Sequence, residues 1–289
     1  GDPDRGGRHG DEGLKIGRQG LKPIFDFIKA AGDKPFFVWY APFLPHTPHN
    51  PPERLLSKYR AADRPIQLAR YYAMCEWFDE TCGQLLDFVD EQGLRKETIV
   101  IYVTDNGWIQ RTPETKVPEG WRPSFAPKSK QSPFDGGTRT PIMVRWPGKV
   151  RPGTRQQLAS SIDIAPTVLR ACGIQPLESM PGIDLVDLAA GRGPRHARLY
   201  GESYAHDIAD LNDPSKTLLY RWCIEDNWKL LLTYDGTIGR YNAVHPQTAS
   251  SPLLFDLSAD PHEQQDISKA HPDVVRRLTG ELGIQWRSQ

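Results

Sequence analysis

The sequence predicts an α/β fold: a mostly parallel sheet flanked by helices, followed by a small antiparallel sheet and a terminal helix. Three observations carry this expectation. Between Ile66 and Gly93 the apolar positions Leu68, Tyr71, Cys75, Phe78, Cys82, Leu85 and Val89 recur three and four apart, with Glu76, Glu80, Asp87, Asp90 and Glu91 mostly opposite, which specifies a long amphipathic helix. Directly after it, "ETIVIYVTDNG" is apolar on both alternating sets of positions, the pattern of a strand covered on both faces, as in parallel sheets. Further on the grammar changes: "TLLYRWCIEDNWKLLLTYDG" reads as two strands around an Asp-Asn turn, and "SPLLFDLS" as a third.

Taken in order, residues 1–19 form a polar tail, Gly-rich and nearly devoid of large apolar groups at its start, too poor in apolar surface to order itself. Residues 20–200 form the α/β core. It opens with a short helix stopped near Gly32 and a continuous apolar run, Phe36 to Tyr40, expected as a buried strand. The long helix ends at Gly93, and the strand Ile99 to Thr104 follows. Residues 107–136 show no periodicity, and an irregular stretch of this length in a compact domain is functional or disordered. "TPIMVRWPG" resumes as a strand and "SSIDIAPTVLRACGI" as a helix stopped at Gly173. Residues 201–289 form the antiparallel subdomain, closed by a helix from about Asp273 to Trp286.

The bulk numbers exclude several functions. With 289 residues there is room for a substantial core. Lys plus Arg equal Asp plus Glu at 36 each, so no long-range field favours nucleic acid or an anionic membrane. No stretch approaches the roughly eighteen consecutive apolar residues of a membrane span. Four cysteines lack metal or redox spacing and read as core thiols; Cys75 and Cys82 are two helical turns apart, roughly 10 Å of rise, too far for a disulfide. The first residue is not methionine, which suggests a processed product or a piece whose upstream part, with any export signal, is absent.

Three segments carry chemistry. At the carboxyl end of the 99–104 strand, where open α/β sheets gather ligands, Asp105 and Asn106 offer two hard oxygens suited to calcium or magnesium, although Asp-Asn-Gly is also an ordinary turn. The loop "APFLPHTPHNPPERL" holds His46 and His49 on a proline-stiffened backbone, where they could donate to an anion or protonate a leaving oxygen, or simply face solvent. In "KSKQSPFDGGTRTPIMVRWPG", Gly136 and Gly137 permit close backbone approach, and Lys128, Lys130 and Arg139 are candidates for an anion site. Neither a phosphate-binding loop nor a G-x-S-x-G elbow occurs.

These segments, in this order, resemble the sulfatases of the alkaline phosphatase superfamily: Pro45-His46-Thr47-Pro48, then Thr104-Asp105-Asn106-Gly107, then Lys130 followed after four residues by Asp135-Gly136-Gly137, Arg139 and Pro141. "RWPGKVRPG", "SIDIAPTVLRACGI" and "LLFDLSADPHEQQDI" are similar as well, and the likeness covers roughly residues 20–287. The resemblance implies an alkaline phosphatase-like fold, incomplete at its N-terminus, and metal-dependent hydrolysis of a sulfate ester, aryl or carbohydrate. It implies Asp105 and Asn106 as ligands of Ca2+ or another divalent cation, His46 and Lys130 as catalytic and sulfate-contacting residues, and export to a periplasm or the exterior. Its formylglycine nucleophile arises in a Cys/Ser-x-Pro/Ala-x-Arg segment, which no cysteine or serine of this sequence begins; it is expected upstream. This chain by itself is therefore expected to show negligible turnover. A phosphomonoester or phosphonate hydrolase of the same superfamily, and a non-catalytic module binding a sulfated glycan or a protein, are the alternatives. Trp108, Trp121 and Phe125 could stack on a substrate ring, though loop packing would use them equally; the leaving group would be read by loops 108–129 and 203–216.

Overall fold

The computed structural model describes residues 15–205, 210–234 and 252–287, divided between two units: residues 1–98 with 110–115, and residues 99–109 with 116–289. The start of the expected tail and part of the 203–216 loop lie outside the described residues. Among those described, no helix is long and apolar enough to cross a membrane.

In the first unit, α1 (Lys22–Ala31) has a proline in its first turn, where the missing N–H has no partner to lose, and stops at Gly32. Helix α2 (Glu53–Tyr59) lays Leu55 and Leu56 against Ala69 and Ala73 of α3 (Ile66–Glu91), with Tyr59 and Trp77 at the margin. The two alanines let the helix backbones approach, and the leucines fill the space. Arg54–Glu80 and Lys58–Glu76 ion pairs, each 2.6 Å, lie at the surface of this contact and add little to stability. Phe25 stacks on Phe88 at 4.2 Å, fixing α1 to the end of α3.

The run Phe36–Tyr40 differs from its expectation as a buried strand. It is extended, but it joins no ladder, and Phe37 and Trp39 are 73% and 84% exposed. Alternate residues turn inward, and the Tyr40 hydroxyl donates to Thr81 Oγ1 at 2.8 Å. Apolar β-formers specify an extended backbone; a ladder also needs an edge to pair with, and among the described residues none pairs with this one.

In the second unit, β1 (Val100–Val103) pairs with β2 (Ile142–Arg145), Val100 opposite Arg145 and Val103 opposite Ile142. The pair is antiparallel, as is every described ladder; the parallel pairing expected of the core strands is not among them. Strand β1 is half-covered rather than enclosed, with Val103 40% exposed. An apolar run fixes which residues avoid water and leaves strand direction open. A one-turn helix α4 (Asp135–Thr138), helix α5 (Ile164–Ala171) and the short α6 (Leu185–Ala189) follow, with Asp184 capping α6 through Val186 N–H at 2.8 Å.

The antiparallel subdomain is a four-stranded sheet in the order β3 (Leu199–Tyr204), β4 (Leu218–Glu225), β5 (Trp228–Thr233), β6 (Leu253–Asp256). Strand β3, inside a stretch whose turn residues dominate its reading, is an addition to the expected three. The β4–β5 turn is Asp226-Asn227, with Asp226 at φ 51°, the left-handed conformation that two-residue hairpins favour. Both sheet faces are buried. Cys223, Leu230 and Leu254, in register, pack on Leu278 and Leu282 of α7 (Pro272–Arg287). Tyr220, Leu231 and Phe255 pack on the other face, against Phe134. All four cysteines are free, but the core-thiol expectation holds fully only for Cys223, whose thiol burial pushes up to about 12; Cys75 and Cys82 are half-buried and Cys172, at the end of α5, is exposed.

Candidate active site

The strand end and the basic loop meet in the second unit. Just beyond β1, Gly107 N–H donates to Gly137 O at 2.9 Å, and Thr140 Oγ1 donates to Thr104 O at 2.9 Å. A Cβ on Gly107 would stand 2.1 Å from Gly136 O, and one on Gly137 2.3 Å from Ser129 O. Only glycine permits backbone to lie on backbone this closely. The Asp-Asn-Gly turn and the Asp-Gly-Gly turn are thus a single packed object, which explains why both need their glycines.

On this object, Asp105 is exposed and its Oδ1 accepts from Asn106 N–H at 2.9 Å. Asn106 Nδ2 donates to Gly107 O at 2.9 Å, which commits the amide nitrogen and leaves Oδ1 as the atom of that side chain able to ligate a cation. Two hard oxygens fit a hard divalent ion in kind, but such ions take six to eight oxygens, or an octahedron completed by water. Among the described residues no cluster of three or more acidic, histidine or cysteine side chains supplies the remainder.

Lys130 Nζ lies 6.0 Å from the centroid of the Trp108 ring, a cation–π contact that places its charge beside the residue two along from Asn106. The other basic candidates are used otherwise. Lys128 Nζ donates to Glu263 O and sits over the Phe134 ring at 4.6 Å; burial lowers its pKa, against the opposing charges of Glu263 and Asp260. Arg139 lies 3.8 Å from the Asp135 carboxylate. Trp121 and Phe125 are buried, packed ring to ring at 5.7 Å, with Trp108 5.4 Å from Phe125, so these aromatics build the loop's own core.

The histidine loop belongs to the first unit. His46 Nδ1 is 2.8 Å from Thr47 O; a carbonyl only accepts, so Nδ1 carries the hydrogen in this contact. Its ring packs 4.6 Å from Phe43. His49, beside Tyr71 at 5.5 Å, has its pKa lowered to about 4, first by burial, then by the nearby His46, against the hydrogen bond it donates to the Pro45 carbonyl. A depressed histidine leaves the folded state binding fewer protons than the unfolded one between about pH 4 and the ordinary value of 6.5. Its stabilising contribution is therefore present above 6.5 and lost as pH falls through 4. Urea unfolding followed from pH 7 to 4 should show the midpoint falling across that window, and His49→Gln should flatten the fall; an unchanged slope would remove His49 as its cause.

Sequence reasoning missed Lys229 and Glu263. Lys229 is 0% exposed, with Nζ 2.7 Å from Asp135 Oδ1 and 2.8 Å from Glu263 Oε1. Glu263 is 1% exposed, and its Oε2 accepts from Asp135 N–H. Burial raises the Glu263 pKa, opposed by Lys229. The signal was a lysine inside "WKLLLT": alternation puts Lys229 on the same face as Leu231, toward Phe134, in a strand buried on both sides.

The family models for sulfatases and for the N-sulphoglucosamine sulphohydrolase C-terminal region match residues 18–174 and 129–286 respectively. The chain is 28% identical over 273 residues to an N-acetylgalactosamine-6-O-sulfatase of Bacteroides thetaiotaomicron, covering 88% of this chain and 47% of that protein. It is 30% identical over 250 residues to arylsulfatase A of Bos taurus, covering 84% and 46%. It thus spans about half the length of the curated relatives it matches. A solved Bacteroides thetaiotaomicron structure, described for metabolism of multiple glycosaminoglycans, superposes with a TM-score of 0.71 at 25% identity over 96% of this chain and 56% of that one. The fold is also that of a sulfatase from Pseudoalteromonas sp., TM-score 0.67 at 20% identity, over 97% and 56%. With the sulfatase model matching more than half of its residues, and an α/β architecture shared with solved sulfatases of the alkaline phosphatase-like fold, this chain belongs to the sulfatase family.

Proposed function

We propose that this chain forms the metal- and sulfate-facing part of a sulfate ester hydrolase. The observation that carries the proposal is the glycine-to-glycine backbone contact, Gly107 N–H to Gly137 O at 2.9 Å, which brings the Asp105–Asn106 oxygens and the Lys130 loop into one object. Asp105 and Asn106 would hold the divalent cation, calcium by family likeness, which when bound polarises the sulfate and favours a deprotonated nucleophile. Lys130 supplies a cation for the sulfate oxygens, where negative charge is to be held away from water. By family likeness, His46 would serve the leaving oxygen as a proton donor. The nucleophile is assigned to a formylglycine outside the 289 residues, since none of their cysteines or serines begins the required segment. Aryl and carbohydrate sulfates both stand as candidate substrates, since the relatives' names include arylsulfatase A and an N-acetylgalactosamine-6-O-sulfatase. The division into a 20–200 core and a 201–289 subdomain, and export from the cytoplasm, belong to the same proposal.

The chain alone, supplied with calcium and an aryl sulfate, should show no turnover above background; turnover like that of a complete enzyme would overturn this assignment of the nucleophile. Within a polypeptide that carries a Cys/Ser-x-Pro/Ala-x-Arg segment, Asp105→Asn and Lys130→Met should each lower kcat/KM on a sulfate ester by about 100-fold or more, while wild type should prefer it to the matched phosphate ester. The phosphate comparison matters because a phosphonate monoester hydrolase shares the fold, TM-score 0.57 at 20% identity. Activity indifferent to both substitutions would sink the site assignment.

A further inference from the structure

Lys229 and Glu263 are buried charges for which the proposed chemistry has no direct use. Apolar side chains of similar volume would fill their places without the cost of desolvating three ionisable groups. Their contacts point elsewhere. Lys229 holds the Asp135 carboxylate from β5, and Glu263 holds both Lys229 and the Asp135 backbone N–H from the loop after β6. Lys128, at the opposite end of the same segment, donates to the Glu263 carbonyl, and both Lys128 and Glu263 have left-handed backbone, φ 59° and 52°. The 128–135 loop carrying Lys130 is therefore tied at both ends to Glu263. Two residues beyond Asp135, Gly137 O receives the Gly107 N–H, and Asn106 and Asp105 come next.

We infer that Glu263 and Lys229 are positioning residues: by fixing Asp135 and Lys128, they set the register between the Gly136-Gly137 turn and the Asp105–Gly107 turn, and so the presentation of the Asp105–Asn106 oxygen pair to a hard cation. This rests on the metal reading of that pair given above. Glu263 and Lys229 touch neither cation nor substrate. Lys229 acts on the turn through the Asp135 carboxylate and Glu263 through the Asp135 backbone N–H, so their loss is felt at Gly107 ahead of the rest of the unit.

Amide hydrogen exchange on the chain as it stands tests this. In Glu263→Gln, which keeps shape and removes charge, protection of the Gly107 amide should fall about tenfold or more, while that of Cys172 at the end of α5 and Leu231 in β5 stays within about twofold. A staple serving stability alone would lower all three together or leave Gly107 unchanged, and either result overturns the inference. Should Glu263→Gln fail to fold, Glu263→Asp, which retains the charge and shortens the reach, must give the same local loss at Gly107; uniform protection there overturns the inference equally. Terbium(III), a luminescent ion that takes oxygen ligands as calcium does, reports on the neighbouring turn through excitation of Trp108. Asp105→Asn should abolish that luminescence, and Glu263→Gln should weaken terbium binding about fivefold or more, with intermediate effect. If Asp105→Asn leaves the luminescence intact, the metal reading fails. If Asp105→Asn abolishes it while Glu263→Gln alters neither terbium affinity nor Gly107 exchange, the metal reading stands and the positioning role is overturned.

Discussion

Lys229→Met is expected to destabilise the second unit by about 3–5 kcal/mol, since it leaves two carboxylates, Asp135 and Glu263, buried beside each other with their cation removed. A loss of this size is a large part of the stability of an ordinary domain, so the variant should unfold at markedly lower urea or be recovered as aggregate. Removing all three charges together, with Lys229→Met, Asp135→Asn and Glu263→Gln, should recover most of the loss, because desolvation is no longer set against missing attraction. The pH dependence has a definite sign. Burial already raises the Glu263 pKa, and a raised group contributes stability that is complete below its unfolded value and declines as pH rises through its folded one. Taking away Lys229 removes an influence that lowers that pKa, so the penalty of Lys229→Met should be smallest in the carboxylate range and largest at neutral pH. Unfolding free energies for wild type, Lys229→Met and the triple variant at two pH values check the prediction; a Lys229→Met loss under about 1 kcal/mol, or one independent of pH, would show that the charges are solvated despite their burial.

Adding a single methyl at Gly107 or Gly137 should be nearly as damaging. The new Cβ of Gly107→Ala would stand 2.1 Å from Gly136 O, and that of Gly137→Ala 2.3 Å from Ser129 O and 2.7 Å from Ser132 O. These obstacles are backbone atoms, so no side-chain rotation relieves them, and each substitution should cost about 1–3 kcal/mol and separate the two turns. Terbium luminescence should be lost in both. Gly83→Ala provides the contrast, since Gly83 lies inside α3 with nothing within 4 Å of its added Cβ. There alanine should stabilise by about 0.5–1 kcal/mol, through helix propensity alone. Matching thermal shifts for Gly83→Ala and Gly107→Ala would contradict the steric account.

Relatives named for N-acetylgalactosamine-6-sulfate chemistry and for aryl sulfates match this chain at similar identity, and it covers about half of each. In this chain Trp121, Phe125 and Trp108 pack on one another inside the 108–129 loop, and of the three Trp108 also lies beside Lys130.

What the sequence determined by itself was local. The three-and-four spacing from Leu68 to Val89 specified α3 because one face of one helix is written in consecutive residues. The Asp226-Asn227 hairpin and the helix before Gly173 were legible for the same reason: hydrogen-bond partners a few residues apart leave their pattern in a short window. The motif residues Asp105, Asn106, Lys130 and His46 were legible as residue types at strand ends and in loops. Tertiary structure decided everything that depended on distant partners. Phe36–Tyr40 reads as a strand, yet pairing requires an edge that no contiguous window contains. Lys229 reads as a surface charge until Asp135 and Glu263, 94 and 34 positions away, are brought to its ammonium. Gly107 and Gly137 read as turn residues, and only the folded chain gives them a common task. Propensity acts through neighbours along the chain, whereas the energy of a buried ion or a backbone contact is set by whatever chain closure brings within a few ångströms.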